Sequence, residues 1–464
     1  MLGAMTGRVP RVVVVGGGFA GFHALLALEK RLPPDAAELV LVNPTDYMLY
    51  SPLLPDVTAG LLEPRHIAVS LRQRLPRTRL VLGRATDLDV AARTVRVDLL
   101  EDGAVVSRTT SLDWDRLVLV PGSVTRQFDI PGVAERAHGV KTLVEARYLR
   151  DHLLTQMDRA DVLPDTPEGR AEKEQRLTVV AVGAGYTGTE IVAQLQHQLT
   201  AVAARWERVT PSDVRFVLID LAPSVLPELG PQLGEIALSA LRRRGVDVRL
   251  GVTVKEARET EVELTDGTTV PSRTLIWGAG VTASPLVTRV GGELQRGRLV
   301  VDPFLRVPGT PGVYAAGDAA AVPDLVVAGK GGPAGEETGP GPVTPPTAQH
   351  AQRHGHALGR NVAADLGFGS ARPYRHRDLG LVADLGGWDA VAKPLGIKLR
   401  GPLAKAVARG YHLYALPAVT NRVRVAVDWL LAAALPAQDV QIGAIPREAA
   451  LVGTAQQTER YLAG

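Results

Sequence analysis

Val12-Val13-Val14-Val15-Gly16-Gly17-Gly18-Phe19-Ala20-Gly21 reads as an apolar strand that breaks into a glycine turn and resumes as a helix. The spacing is G-x-G-x-x-G. Gly16 permits the tight turn, Gly18 lets the backbone approach a pyrophosphate, and Gly21 lets the helix pack on the strand. The helix N-terminus then offers its free N–H groups to the phosphates. A second apolar strand follows at Leu39 to Val42. The pattern recurs at Leu177 to Leu199, with Gly183, Gly185 and Gly188 in the three glycine places and a further strand at Phe216 to Ile219. Two such units predict an α/β, doubly wound architecture with two Rossmann-like dinucleotide-binding domains. Two dinucleotides in one chain suit hydride transfer, which needs donor and acceptor held face to face.

The residue closing the second strand of each unit bears on which dinucleotide is held. In the first unit it is Asn43, whose amide can hydrogen-bond a ribose hydroxyl but lacks the charge that repels a 2′-phosphate. In the second it is Asp220, followed by Leu221 and Ala222 with no arginine beside them, which favours NADH over NADPH.

Composition narrows the chemistry further. The 464 residues contain no cysteine, so thiolate nucleophiles, disulfide relays, Cys-ligated zinc and iron–sulfur clusters are excluded and any redox step needs a bound cofactor. No metal is expected. Lys and Arg total 52 against 49 Asp and Glu, too even a balance for a nucleic-acid binder. The positive excess is local: Val391 to Leu435 holds seven Lys/Arg and one acid, Asp428, a net of +6 against −3 for the remainder. The N-terminal apolar run is broken by Gly16 to Gly18 and ends in Glu29-Lys30-Arg31, so it reads as cytoplasmic rather than as a signal peptide. No apolar run reaches the roughly 18 to 20 residues of a membrane-spanning helix. Polar stretches at Asp158 to Arg176 and Ala328 to Pro346 read as surface loops.

A third segment, Gly312-Val313-Tyr314-Ala315-Ala316-Gly317-Asp318, is a short strand ending in Gly-Asp. Asp318 could accept hydrogen bonds from a ribityl chain, and Gly317 would let the backbone approach a pyrophosphate. With the two glycine turns, this segment resembles the two-dinucleotide-domain flavoproteins. Within them the chain is most similar to the type II NADH dehydrogenases, the single-chain NADH:quinone oxidoreductases. The resemblance rests on Asp46 to Leu54, Leu117 to Gly122, Leu275 to Val281, Ala348-Gln349-His350-Ala351, and the tail from Arg409-Gly410-Tyr411-His412-Leu413-Tyr414 to Trp429. Sulfide:quinone and dithiol reductases share the architecture but need paired cysteines.

The resemblance implies FAD in the first unit, NADH in the second and a membrane quinone as acceptor, without proton pumping. It implies that Pro52, Leu53 and Leu54 line the flavin, that Gly122 adjoins the cofactor and that Gly280 faces the nicotinamide dinucleotide. Glu190 matches a glutamate near flavin and nicotinamide, although a carboxylate there could simply be stabilised by the helix dipole. Ala348 and Gln349 match the quinone-side signature Ala-Gln-x-Ala-x-Gln-Gln, but Arg353 and His354 replace its later glutamines. His354 could supply a proton to a reduced quinone. The domains implied are 1–145 and 301–370 for FAD, 146–300 for NADH, and 371–464 for membrane association; similar enzymes suggest a homodimer. A soluble NAD(P)H reductase feeding a small electron-transfer protein, or a non-catalytic NADH sensor, is the alternative.

On a helix from Leu403, Leu403, Val407, Tyr411 and Tyr414 form one apolar stripe, with Lys405, Arg409 and His412 opposite. Such a helix can lie on the cytoplasmic face of a membrane or dock on protein. Arg422 to Leu435 is ambiguous, because Val423, Val425, Val427 and Trp429 also fit strand alternation.

Overall fold

The computed structural model describes residues 8–101, 104–328, 341–376, 379–443 and 445–455. Strand β1 (Arg11–Val15), helix α1 (Phe19–Arg31) and strand β2 (Glu38–Asn43) form the first unit. The four valines of β1 are buried, as expected of a parallel strand covered on both faces. A short helix α2 (Leu54–Thr58) follows, then an antiparallel meander of β3 (Thr78–Asp89), β4 (Thr94–Glu101) and β5 (Ala104–Asp113), and a parallel strand β6 (Arg116–Leu119).

The chain next crosses to a second sheet through β7 (Ala137–His138) and helix α3 (Leu143–Asp161). That sheet is built from β8 (Thr178–Val182), helix α4 (Tyr186–Val202), β9 (Arg215–Asp220), β10 (Val246–Leu250) and β11 (Thr274–Trp277). Its strand order, β7-β11-β8-β9-β10, is parallel throughout. The chain returns through β12 (Val313–Ala315), which completes the first sheet in the order β12-β6-β1-β2-β3-β4-β5. Each sheet carries its own buried apolar cluster.

Helix α5 (Ala348–Asp365) packs against α1 through small residues. A Cβ at Gly355 would stand 2.3 Å from the Ala20 carbonyl oxygen, and one at Gly359 2.4 Å from that of Ala24. This close crossing brings both helix N-termini to the same edge of the first sheet. The C-terminal part comprises an antiparallel sheet of β13 (Val382–Asp384), β14 (Ala390–Ala392) and β15 (Leu399–Arg400), followed by helices α6 (Gly401–Ala415) and α7 (Val419–Ala434).

Two local expectations are corrected. Asp158 to Arg176 is mostly helical: α3 runs to Asp161, and a further helix, Pro167–Leu177, starts where the Thr166 side chain accepts the Gly169 N–H and Pro167 takes the first turn. Polar composition misled because that helix is polar almost throughout and lies on the surface, with only Gly169 and Leu177 buried. Arg422 to Leu435 is helix, not strand, so its alternating valines fall on different helix faces. In the second polar stretch, residues 329–340 lie outside the described residues.

Candidate functional site

The first glycine turn lines a cleft of about 380 Å³. Gly16 has φ +106°, and a Cβ there would meet the Val120 carbonyl oxygen at 2.3 Å. A Cβ on Gly21 would stand 1.9 Å from the Gly16 carbonyl oxygen. Both glycines are demanded by the fold. Gly18 differs: a Cβ there meets nothing within 4 Å, yet the residue opens α1 with no side-chain cap and no acidic residue in the first turn. An uncapped helix N-terminus facing open space is suited to a phosphate.

Asn43 Oδ1 accepts the Gly17 N–H at 2.7 Å, while its Nδ2 donates to the carbonyl and hydroxyl of Thr45. The amide therefore braces the glycine loop itself. Across the cleft, Gly122 has φ +74°, and Ser123 Oγ donates to Asp318 Oδ2 at 2.7 Å and takes a bond from Lys141 Nζ at 2.9 Å. Gly122, Gly317, Asp318 and Ala348 all reach the cleft wall. The wall extends through Tyr47, Leu49 and Ser51; Pro52 adjoins it, whereas Leu53 and Leu54 are buried in the core behind.

The second turn repeats the first almost atom for atom. Gly183 has φ +106° and would clash with the Gly278 carbonyl oxygen at 2.4 Å, and a Cβ on Gly188 would stand 1.9 Å from that of Gly183. Gly185 opens α4 uncapped, with nothing within 4 Å of a Cβ. Asp220 accepts the N–H of Ala184 at 2.5 Å and that of Ala222 at 2.7 Å, the counterpart of the Asn43 brace. Gly280, exposed with φ +92°, lies beyond β11 near this turn.

Between these cradles and the C-terminal helices lies a polar interior. Glu190, in the second turn of α4, accepts the Asp384 N–H at 2.9 Å, so it is tied to the C-terminal sheet rather than to its own helix end. Burial, reinforced by the charges of Asp384 and Asp56, raises its carboxyl well above the usual range, against the Asp384 amide and Lys405. Lys405, 2% exposed, bonds both Asp384 oxygens at 2.5 Å. Gln349 Nε2 donates to Tyr411 Oη at 3.1 Å, and Tyr50 Oη lies 3.2 Å from His412 Nδ1, an imidazole that burial lowers to about 4.

The pyridine nucleotide-disulphide oxidoreductase family model matches residues 10–355. The chain is 31% identical to the type II NADH:quinone oxidoreductase NdhA of Mycobacterium tuberculosis, over 90% of this chain and 86% of that one. The chain belongs to the type II NADH:quinone oxidoreductase family. Its fold superposes on NDH2 of Plasmodium falciparum with a TM-score of 0.82 at 19% identity, covering 93% of this chain and all of that one. The sulfide:quinone oxidoreductase of Aquifex aeolicus gives 0.66 at 18% identity, covering 89% and 92%. Fold likeness thus extends beyond this type II NADH:quinone oxidoreductase's own family.

Within this family member the departure at Arg353-His354 has a structural use. His354 is 1% exposed; its Nδ1 accepts the Gly317 N–H at 3.2 Å, which leaves Nε2 to donate to Thr344 Oγ1 at 3.3 Å. Burial, aided by His350 and His376, lowers it well below the ordinary value. The expectation of a proton donor is corrected: His354 is a neutral brace for the Gly317-Asp318 segment.

The basic face expected on α6 is corrected too. Lys405, Arg409 and His412 point inward, where Lys405 answers the Asp384 carboxylate and the Arg409 guanidinium lies 5.2 Å from the Trp429 ring centre. Of the apolar stripe, Leu403 at 62% and Tyr414 at 73% are exposed, whereas Val407 packs on the C-terminal sheet and Tyr411 is half-buried beside Gln349. Helix α7 adds exposed Val419, Val423, Val427, Leu430 and Leu431, and the exposed cations nearby are Lys398, Arg400 and Arg424. Among the described residues no helix is long and apolar enough to cross a membrane. Sequence reading passed over Asp56 and Asp384 and put Lys405 on an outward polar face; the signal available was a lone acid inside the apolar run Leu53-Leu54-Pro55-Asp56-Val57.

Proposed function

We propose that this chain is an FAD-dependent NADH:quinone oxidoreductase that works at the cytoplasmic face of a membrane without pumping protons. The observation that carries this reading is the pair of matching cradles, each with an open glycine, Gly18 or Gly185, at an uncapped helix N-terminus. Bound FAD would accept a hydride from NADH and pass two electrons to the quinone. Gly16, Gly18 and Gly21 would seat the FAD pyrophosphate, with Asn43 holding their loop. Gly122, Gly317, Asp318 and Ala348 would complete its walls, and Pro52, Leu53 and Leu54 would back the flavin. Gly183, Gly185, Gly188, Asp220 and Gly280 would seat NADH.

Reduction of a quinone to a quinol takes two electrons and two protons, and NADH brings both electrons with one proton. Glu190, whose carboxyl burial pushes upward, is placed to release the second and recover it from water through its half-exposed side. Gln349, positioned by Tyr411, would orient the quinone head. Turnover should therefore require Glu190 in its acid form and fall as pH rises through its pKa. Steady-state NADH oxidation checks the assignment: rapid turnover only when a short-chain quinone is added supports it, whereas one reduction followed by a stall points to a sensor.

Exposed apolar side chains on α6 and α7, flanked by Lys398, Arg400 and Arg424, support a helix pair lying in the bilayer interface. Fully burying one leucine or valine contributes about 1.5–3 kcal/mol. The double change Val423→Glu and Leu430→Glu should thus cut partition onto anionic liposomes at least about tenfold. Flotation equal to that of the unaltered protein would contradict the assignment.

A further inference from the structure

Asp56 takes no part in either cradle, yet it joins three parts of the molecule. It is 6% exposed on α2, immediately after the segment that backs the flavin side of the cleft. Its Oδ1 accepts from Gln194 Nε2 at 2.8 Å, and its Oδ2 accepts from Trp429 Nε1 at 2.7 Å. Gln194 stands one turn beyond Glu190 on α4, and Trp429 is the buried anchor of α7, the helix whose other face carries exposed valines and leucines.

Both donors are neutral, so the carboxylate is hydrogen-bonded without being neutralised. The cations near it are engaged elsewhere: Lys405 on Asp384, and Arg409 over the Trp429 ring. On the neighbouring elements, Asp428 is taken by His66 at 2.6 Å, and Arg150 of α3 donates to the Gln438 carbonyl. Burial, with the Asp384 charge adding to it, pushes the Asp56 carboxyl up to about 6, against Lys405, Trp429 and Arg409. A second observation is independent of that shift. Gln194 Oε1 is buried without a hydrogen-bond partner. A half-turn of the amide would present that oxygen to Asp56, which can meet it only as the protonated acid. The joint is therefore built to accept either protonation state.

We propose that Asp56 is a positioning residue that ties the seating of α7, through Trp429, to the proton carried by Glu190. With α7 seated, the indole N–H and the Arg409 cation stabilise ionised Asp56, and its negative charge keeps Glu190 protonated. Without the indole N–H, as in Trp429→Phe, Asp56 keeps its burial but loses a donor that favours its ionised form, so it takes up a proton more readily and its repulsion of a second charge on Glu190 weakens. The two carboxyls then titrate as a pair. This inference rests on the reading of Glu190 as the acid in quinone reduction.

The test is Asp56→Asn in the full-length, flavin-loaded protein. Asparagine can accept from Trp429 and donate to the turned Gln194, so geometry is kept while the charge is lost. The alkaline limb of quinone-dependent NADH oxidation should move to lower pH by about one unit, with flavin content unchanged. A readout without turnover is the tryptophan emission difference between the unaltered protein and Trp429→Phe. It should titrate with a midpoint near the Asp56 value of about 6 and be flat when Asp56→Asn is present in both members of the pair. A pH profile superimposable on that of the unaltered protein, or an emission difference that is flat with Asp56 in place, overturns the proposal. If the unaltered protein ignores quinone, the functional reading fails by itself, and the emission titration still decides whether Asp56 is a proton-holding joint.

Discussion

Gly18→Val should give a folded protein that no longer holds flavin. Residue 18 has φ −71°, which any side chain adopts, and a Cβ there meets no atom within 4 Å, so the fold loses nothing. The space filled is the approach of a phosphate to the N-terminus of α1, and the helix presents no other uncapped end. Flavin affinity should drop at least about 100-fold, equivalent to about 2.7 kcal/mol. The measurement is the ratio of flavin to protein absorbance after gel filtration, beside a thermal melt. The neighbouring change Gly21→Val is the control with opposite logic. Its Cβ would lie 1.9 Å from the Gly16 carbonyl oxygen, so that protein should lose stability as well as flavin. A yellow Gly18→Val protein would show that the cofactor approaches elsewhere.

Gly185→Val should separate the two sites. The same open Cβ position at the N-terminus of α4 predicts a protein that keeps its flavin and its stability but is reduced by NADH at least about 100-fold less efficiently. Anaerobic mixing with NADH, followed in the flavin absorbance, measures it. An unchanged reduction rate at low NADH would remove the second cradle from the reaction.

Much of this was legible in the sequence because it is written locally. Glycine spacing after four valines fixes strand, turn and helix within a dozen residues, and the repeat at Leu177 fixes the second unit. Asn43 and Asp220 were readable as strand-end partners of a ribose, but not as braces of Gly17 and Ala184, because the brace depends on how two parallel strands register. The α6 helix shows the opposite case. Its periodicity was plain, yet which face turned outward was decided by Asp384, a residue on a separate strand that draws Lys405 inward. The ion pair with the partly buried Asp384 carboxylate offsets taking the lysine out of water. His354 and Asp56 were hidden for the same reason: their partners, Gly317, Gln194 and Trp429, lie far away in sequence.

If both cradles serve one relay, electrons pass from NADH through flavin to quinone. The direct measurement is an anaerobic titration of the purified yellow protein. Stoichiometric NADH should bleach the flavin bands, and one equivalent of a short-chain quinone should restore them. A protein that NADH leaves yellow, or that stays bleached after quinone is added, has no such relay.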